Sequence, residues 1–255
     1  MLRKIKEYYK STKFNFDKQV LDPNLILPIT WTKIFHKAYL RFPSRKLELS
    51  DYKRNSGDFK TLILERETSR DLSGQINYET LSDLLFYSAG IKPLKGQNPD
   101  SARRMYPSAG ARYPLETYVV AENIPHLDKG IHHYNVKENT LEKLLSKDLQ
   151  TDMIKILNSE MGKAPLFLIL TGVLSRTETK YGTNAYRFAL IESGHVGQNI
   201  YLLSQKFGLG CCAIGGFDNN KLTKLLDLTE DEVPLYLFAI GKKTNSPKNI
   251  LKTSS

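Results

Sequence analysis

Apolar residues recur along the chain at two spacings, one typical of helices and one typical of strands. A helix over 78–89 is predicted because its apolar positions repeat every three or four residues and Gly90 follows the last of them. Further helices are predicted over 148–160, 185–207 and 221–228. Short apolar runs predict strands over 117–122, 131–136, 166–171, 211–214 and 234–240. The alternation of helices and strands indicates an α+β or α/β domain.

The longest predicted element is the helix over 185–207, which Gly208 ends. It is apolar around much of its circumference, a pattern typical of buried helices. Gly194 and Gly197 each weaken a helix by about 1 kcal/mol relative to alanine. Close approach of another backbone would explain that cost. We therefore expect this helix to be buried and to be a candidate subunit interface.

Charge and composition divide the chain into three parts. The 255 residues carry a net charge of +10, and residues 1–60 hold 14 Lys and Arg against 6 Asp and Glu. We interpret 1–60 as a basic, partly helical extension, with helix-like spacing over Trp31–Leu40, 61–243 as the main domain, and 244–255 as a flexible tail. The basic extension fits either a solvated face or the docking of an acidic partner. The sequence has neither zinc-ligand spacing nor a nucleic-acid motif, so no nucleic-acid partner is expected.

The sequence also bears on compartment and redox chemistry. The longest apolar run, 164–173, is too short to span a bilayer and contains Pro165, so it is better interpreted as a buried strand. The N-terminus lacks the apolar core of a signal peptide, and we expect a cytoplasmic protein without a membrane partner. Cys211 and Cys212 are adjacent, a placement that rarely forms a disulfide. They are interpreted as small buried side chains, with a redox role as the less favoured alternative, and no metal site is expected.

Three segments carry candidate cofactor chemistry. The loop over 103–114 combines arginines, small residues and prolines directly before a predicted strand. Small residues let a backbone approach a flat ligand, and guanidinium groups suit phosphate or carbonyl oxygens. Arg66, Thr68 and Arg70 occupy alternate positions, which places two guanidiniums and a hydroxyl on one side of an extended segment, suited to a phosphate. The third segment is Ile214-Gly215-Gly216, where a flat ring could approach the backbone.

Each segment also has a purely structural interpretation. The 103–114 loop could be a tight turn, and Ile214-Gly215-Gly216 a plain β-turn. Arg66 and Arg70 could be surface arginines beside a helix cap formed by Thr68 or Ser69.

An ordered set of motifs resembles one family. The set comprises Glu65-Arg66 with Ser69-Arg70, Arg104 with Tyr106 to Ala111 and Tyr113 to Glu116, Gly130 to Asn135, Lys180-Tyr181-Gly182 with Tyr186-Arg187, Glu192 to His195 with Gln198-Asn199, Gly208-Leu209-Gly210 and Ile214 to Asp218. It covers about residues 62–243 and resembles the nitroreductase-like flavoproteins. Within them it is similar to the SagB-type (McbC-like) dehydrogenases, which oxidise thiazolines and oxazolines in ribosomally made peptides to thiazoles and oxazoles.

The resemblance implies an α+β fold with a central, mostly antiparallel sheet flanked by helices, and an obligate homodimer with FMN at its interface. It implies partners as well: an azoline-containing precursor peptide and a cyclodehydratase complex. The residues implied to bind FMN are Arg66, Thr68, Arg70, Pro107, Ser108, Ala109, Gly110, Arg112, Ile214, Gly215, Gly216 and Lys242. Arg112 is expected to neutralise charge on the reduced ring.

Lys180 and Tyr181 are the implied catalytic residues. Aromatisation of an azoline removes a proton from a ring carbon and transfers a hydride to the flavin. A lysine in a partly desolvated pocket can act as the base, and a tyrosine can donate a hydrogen bond to the developing charge. His195 is interpreted first as a core or interface histidine, and Glu192, one helical turn earlier, as its hydrogen-bond partner.

Two other functions fit the same sequence. One is a general NAD(P)H-dependent nitro or quinone reductase, which would need neither Lys180-Tyr181 nor the basic extension. The other is a catalytically silent subunit that scaffolds a peptide-modification complex. Retention of Arg66, Arg70 and the Lys180-Tyr181 pair argues against such a decayed enzyme.

Overall fold

The structure is a computed structural model that describes residues 2–11, 59–92 and 103–243. Within these ranges the helices are α1 (Leu2–Ser11), α2 (Phe59–Glu65), α3 (Tyr78–Ala89), α4 (Gln150–Leu157), α5 (Ser175–Tyr181), α6 (Ala185–Lys206) and α7 (Asn219–Leu225). The strands are β1 (Leu72–Ser73), β2 (Leu115–Ala121), β3 (Gly130–Asn135), β4 (Thr140–Ser146), β5 (Leu166–Val173), β6 (Leu209–Ile214) and β7 (Glu232–Lys243). The segment Trp31–Leu40 and the tail over 244–255 lie outside the described residues.

The strands form one sheet in which every pairing is antiparallel. The order β7-β5-β2-β3-β4 runs across its body, and β7 also pairs with β6 and, at its C-terminal end, with β1. The mostly antiparallel sheet that the resemblance implies is therefore confirmed.

The sheet separates two hydrophobic layers because side chains alternate along its central strands. In β5, Leu166 and Leu168 pack into the layer that contains α3 and α6, whereas Phe167 and Ile169 pack into the layer that contains α4 and α7. All four side chains are fully buried. Helices on both faces of a central strand explain why β5 is continuously apolar rather than alternating with polar residues.

Helix α1 packs on the main domain through one face. Ile5 and Tyr9 are buried in the layer that contains α6, and the ring of Tyr8 meets that of Tyr186 edge to face at 5.5 Å. Lys6 forms an ion pair with Glu230 at 3.1 Å. The first helix of the basic extension is therefore joined to the domain at the start of α6.

The helices and strands predicted within the described residues are present, with bounds that differ by at most three residues. The elements without a predicted counterpart are α2, β1, β4 and α5, and α1 was expected only as part of a partly helical extension. Helix α6 runs beneath the sheet, and a Cβ at Gly197 would lie 2.7 Å from the ring of Phe238, so this glycine permits close packing. A Cβ at Gly194 would meet nothing within 4 Å in the described chain, so a close neighbour there would have to come from outside it and stays a prediction. In the described ranges we find no helix with both the length and the apolarity needed to cross a membrane.

Candidate functional site

The segment after α2 lies against α6 and the start of β6. The Ser69 N–H donates to the carbonyl of Cys211 at 3.0 Å. The Arg66 guanidinium lies over the ring of Tyr201 at 5.2 Å, and the Thr68 hydroxyl is 3.0 Å from the Tyr201 hydroxyl. Within the described ranges, neither Arg66 nor Arg70 pairs with a carboxylate. Both guanidiniums are thus available to an anionic ligand.

Tyr201 connects this segment to the glycines after β6. Its hydroxyl accepts from the N–H of Ala213 at 2.9 Å, directly before Ile214. Ile214 is buried, whereas Gly215 is exposed, and a Cβ at Gly215 would meet nothing within 4 Å. Nothing in the described chain therefore requires glycine at 215, and the open space above it suits a flat ring outside the chain. Sequence reasoning missed Tyr201, which looked like one more apolar position of the long helix.

At the end of β7 the structure distinguishes two adjacent lysines. Lys243, rather than Lys242, reaches the 66–70 segment, with its ammonium 3.1 Å from Glu67 and 3.4 Å from the amide oxygen of Gln205. Lys242 is exposed and its aliphatic chain lies beside Gly74, where an added Cβ would be 3.2 Å from its Cδ. A phosphate role for Lys242 stays a prediction, and Lys243 is the lysine that this geometry adds.

The loop that was predicted to cradle the cofactor has an unusual backbone. Gly110, Ala111 and Tyr113 have φ values of 58°, 54° and 47°. The left-handed conformation costs a non-glycine residue about 1–2 kcal/mol. Such strain persists only where the surroundings impose it, and it concentrates at functional sites. The Ser108 hydroxyl helps to impose it by accepting from the Tyr113 N–H at 2.8 Å. Pro107 is exposed at the start of the loop.

Glu192 of α6 binds this loop through hydrogen bonds. Its side chain is 2% exposed, its Oε1 accepts from the N–H of Ala109 at 3.0 Å, and it also hydrogen-bonds the Ser108 hydroxyl. Burial raises the pKa of the Glu192 carboxyl, and these hydrogen bonds only partly oppose that effect. Its Oε2 is buried without a hydrogen-bond partner among the described residues. The expected pairing of Glu192 with His195 is wrong, because His195 is exposed and the carboxylate is bonded to the loop.

The sequence did not predict that Glu192 bonds the loop, for a physical reason. Its position on α6 indicated a neighbour three residues along the same helix, whereas the loop it bonds is more than 80 residues away in sequence. An acidic side chain within a predicted buried helix was the available signal, because a buried carboxylate requires hydrogen-bond donors.

Lys180 and Tyr181 end α5 and lie over the same loop. A Cβ at Gly110 would be 2.6 Å from the Tyr181 hydroxyl and 2.9 Å from the Lys180 ammonium. The Tyr181 ring packs on Phe188 of α6 at 4.9 Å. Two of the predicted segments thus meet at one point. The expected desolvated pocket is not present in the described chain, because Lys180 is exposed. A bound ligand or a second protomer would have to cover it.

Arg112 connects the loop to α5. Its Nε donates to the carbonyl of Arg176 at 2.9 Å, and the Arg176 guanidinium donates to the Tyr113 carbonyl and forms an ion pair with Glu116. Arg112 is exposed and engaged with backbone, so the charge-neutralising role at the ring stays a prediction. In this structure, Arg112 and Arg176 hold the helix that carries Lys180 and Tyr181 against the loop.

The site residues therefore form two clusters along α6. The loop cluster contains Ser108, Ala109, Gly110, Lys180 and Tyr181 around Glu192, and the arginine cluster contains Arg66, Thr68 and the 213–216 segment around Tyr201. Glu192 and Tyr201 are separated by about 13 Å along the helix axis, at a rise of about 1.5 Å per residue. No described contact joins Arg70 or Lys242 to the loop cluster.

Comparison with known proteins identifies the family. Residues 63–242 match the nitroreductase family. A protein of Methanocaldococcus jannaschii described as a nitroreductase is 30% identical over 184 residues, which are 71% of this chain and 89% of that protein. The microcin B17-processing protein McbC of Escherichia coli is 26% identical over 175 residues, which are 66% of this chain and 62% of McbC.

A solved structure agrees on the fold. A chain of the E. coli microcin synthetase McbBCD complex with truncated pro-MccB17 bound superposes with a TM-score of 0.76, covering 96% of this chain and 93% of that chain at 22% identity. At that identity the likeness shows the fold alone. The match over residues 63–242 spans well over half of the sequence, and the chain therefore belongs to the nitroreductase family.

Proposed function

We propose that the protein is an FMN-dependent dehydrogenase that oxidises thiazoline and oxazoline rings of a ribosomally made peptide to thiazoles and oxazoles. Membership in the nitroreductase family indicates an oxidoreductase with a flavin cofactor. The likeness to McbC, a microcin B17-processing protein, supports a peptide as substrate. The observation that carries the proposal is the convergence of the Lys180 ammonium and the Tyr181 hydroxyl at Gly110.

The residues of the two clusters, together with Arg70, fit a flavin mononucleotide. Arg66 and Arg70 have no carboxylate partner in the described ranges and would bind its phosphate, with the Thr68 hydroxyl beside them. The open space at Gly215 accommodates a flat ring against the backbone of 214–216. The buried, unpartnered Oε2 of Glu192 supplies a further acceptor beneath the 107–110 loop. When bound, the flavin supplies the acceptor for a hydride.

The chain's own residues would handle the proton. Oxidation of an azoline removes two hydrogens, one as a hydride, for which a bound flavin would be the acceptor, and one as a proton from a ring carbon. Lys180 takes that proton, while Tyr181 donates a hydrogen bond to the ring heteroatom where charge develops. Because both groups lie beside Gly110, the strained loop would define where the azoline ring lies.

We include a homodimer in the proposal. Leu190 and Ile191 on α6 are 38% and 49% exposed, and the surface above Gly194 is open. An apolar, exposed stripe with a glycine suits close packing against the same helix of a second copy. A second protomer there would also cover Lys180, which is exposed in one chain. A complex with a cyclodehydratase is proposed by analogy with the McbBCD complex.

A general NAD(P)H-dependent reductase is the second candidate. The relative described as a nitroreductase, which this chain matches over 89% of its length, favours it. A reductase of small molecules does not need a base, so Lys180→Ala would leave its turnover unchanged.

The proposal can be tested by product mass. The purified protein with FMN is incubated in air with an azoline-bearing peptide, and mass spectrometry follows the loss of two hydrogens. We expect the loss with the wild type, its disappearance with Lys180→Ala and strong slowing with Tyr181→Phe. Lys155→Ala is the matched control, because Lys155 is also an exposed lysine in the last turn of a short helix but lies in α4, in the opposite layer. Equal rates for Lys180→Ala and Lys155→Ala would contradict the proposal.

A further inference from the structure

A cavity of the described chain lies between α1 and the beginning of α6. Its volume is about 600 Å³. Ile5 and Tyr8 of α1 form one wall, and Tyr186 and Leu190 of α6 form the other. Ile5, Tyr8 and Tyr186 have no role in the proposed function, whereas Leu190 also belongs to the apolar stripe proposed for the dimer.

The cavity lies next to the candidate catalytic residues. Thr183 lines it, and Thr183 lies two residues after Tyr181 in the short turn (Gly182–Asn184) that joins α5 to α6. The ring of Tyr181 packs on Phe188, which lies in the first turn of α6. A chain held in the cavity would therefore be close to a ring positioned at Lys180 and Tyr181.

The residues that line the cavity include two cations and two aromatic rings. Lys4 and Arg187 line the cavity and are exposed, and among the described residues no acidic side chain lines it. Neither cation pairs with a carboxylate in the described part of the chain. The Tyr8 ring is 58% exposed and is held by the edge-to-face contact with Tyr186. Unpaired cations beside an exposed aromatic ring suit a ligand that carries a carboxylate next to an apolar group.

We propose that this cavity binds an acidic segment of the peptide that carries the azoline ring, with a carboxylate between Lys4 and Arg187 and an apolar side chain against Tyr8. This inference rests on the proposed function, because it takes the substrate to be a peptide. It gives the N-terminal helix a role: α1 supplies one wall and one of the two cations. An extended peptide leaving the cavity passes the turn at Thr183 and delivers its ring to Lys180.

Binding can be measured without turnover. The probe is a fluorescent decapeptide without an azoline ring, with two aspartates beside a leucine, and anisotropy is followed with the full-length FMN-loaded protein. We expect the charge-reversed variant Lys4→Glu/Arg187→Glu to bind about tenfold more weakly, since two attractions become repulsions. The control pair Lys155→Glu/Lys224→Glu changes the same charge in the opposite layer and should bind like the wild type.

A charge-swapped peptide separates recognition from loss of structure. With both aspartates replaced by lysine, the peptide should bind the reversed variant more tightly than it binds the wild type, which a merely misfolded variant would not do. Equal affinities of the wild type and the reversed variant for the acidic peptide, or equal losses in the control pair, would overturn the proposal. Because this readout needs no oxidation, acidic-peptide binding without azoline oxidation would refute the proposed function and leave the cavity assignment standing.

Discussion

Replacing Gly110 by alanine tests whether the loop positions the Lys180-Tyr181 pair. Gly110 has a φ of 58°, so alanine costs about 1–2 kcal/mol of unfolding free energy through backbone strain alone. The new Cβ would also lie 2.6 Å from the Tyr181 hydroxyl and 2.9 Å from the Lys180 ammonium, against an ordinary contact of 3.4 Å or more. Both tips belong to flexible side chains and can retreat by roughly 1 Å at little further cost in stability. A displacement of about 1 Å in reacting groups lowers the rate by about 100-fold.

Gly208 provides the matched control for this substitution. Its φ is 67°, but a Cβ there would meet nothing within 4 Å. Gly208→Ala should therefore lower the unfolding free energy, measured by urea denaturation, by about 1–2 kcal/mol as well. Its kcat for azoline oxidation should stay at the wild-type value. Gly110→Ala should match it in stability and fall about 100-fold in kcat. Equal kcat values for the two alanine variants would refute the idea that the loop positions the pair.

Three further predictions follow from the contacts around the site. Glu192→Ala should lower the unfolding free energy by about 1–3 kcal/mol because the Ala109 N–H loses its acceptor, whereas Glu192→Gln, which keeps an oxygen, should lose less; urea denaturation distinguishes them. Arg70→Ala should weaken FMN binding about tenfold in a fluorescence titration, and unchanged affinity would remove Arg70 from the phosphate site. Hydrogen bonding to Glu116, and then to Glu142, raises the pKa of His133, so its contribution to stability is complete below about pH 6.5 and is lost as the pH rises through the raised value. The stability lost in His133→Gln should accordingly shrink as the pH rises above about 6.5, and a pH-independent loss would contradict this.

Apolar periodicity predicted the elements that build the core. Strand β5 and helix α6 are long and strongly apolar, and their predicted bounds are nearly those observed. Three of the missed elements, β1, β4 and α5, lack that signal. Six of the seven residues of β4 are exposed or polar at the sheet edge, β1 has two residues, and α5 is a short helix of mostly polar residues. Pairing with a neighbouring strand or packing on α6, rather than local preference, stabilises these three.

The candidate site could be predicted as segments but not as an arrangement. The resemblance indicated Gly110 and Lys180-Tyr181 separately, and only the fold shows that they lie side by side. Glu192 and Tyr201 were missed because each contributes through a partner distant in sequence. Lys242 was chosen over Lys243 because two adjacent lysines are equivalent in sequence, whereas the end of β7 directs only Lys243 towards Glu67.

The most direct test of the central claim is the flavin absorbance of the purified FMN-loaded protein, mixed without oxygen with an azoline-bearing peptide and separately with NADPH. We predict that the azoline peptide bleaches the flavin as the azole forms, and that Lys180→Ala abolishes this bleaching. Bleaching by NADPH alone would contradict the dehydrogenase and favour a general reductase. A protein that takes up no FMN would contradict both and favour a scaffold.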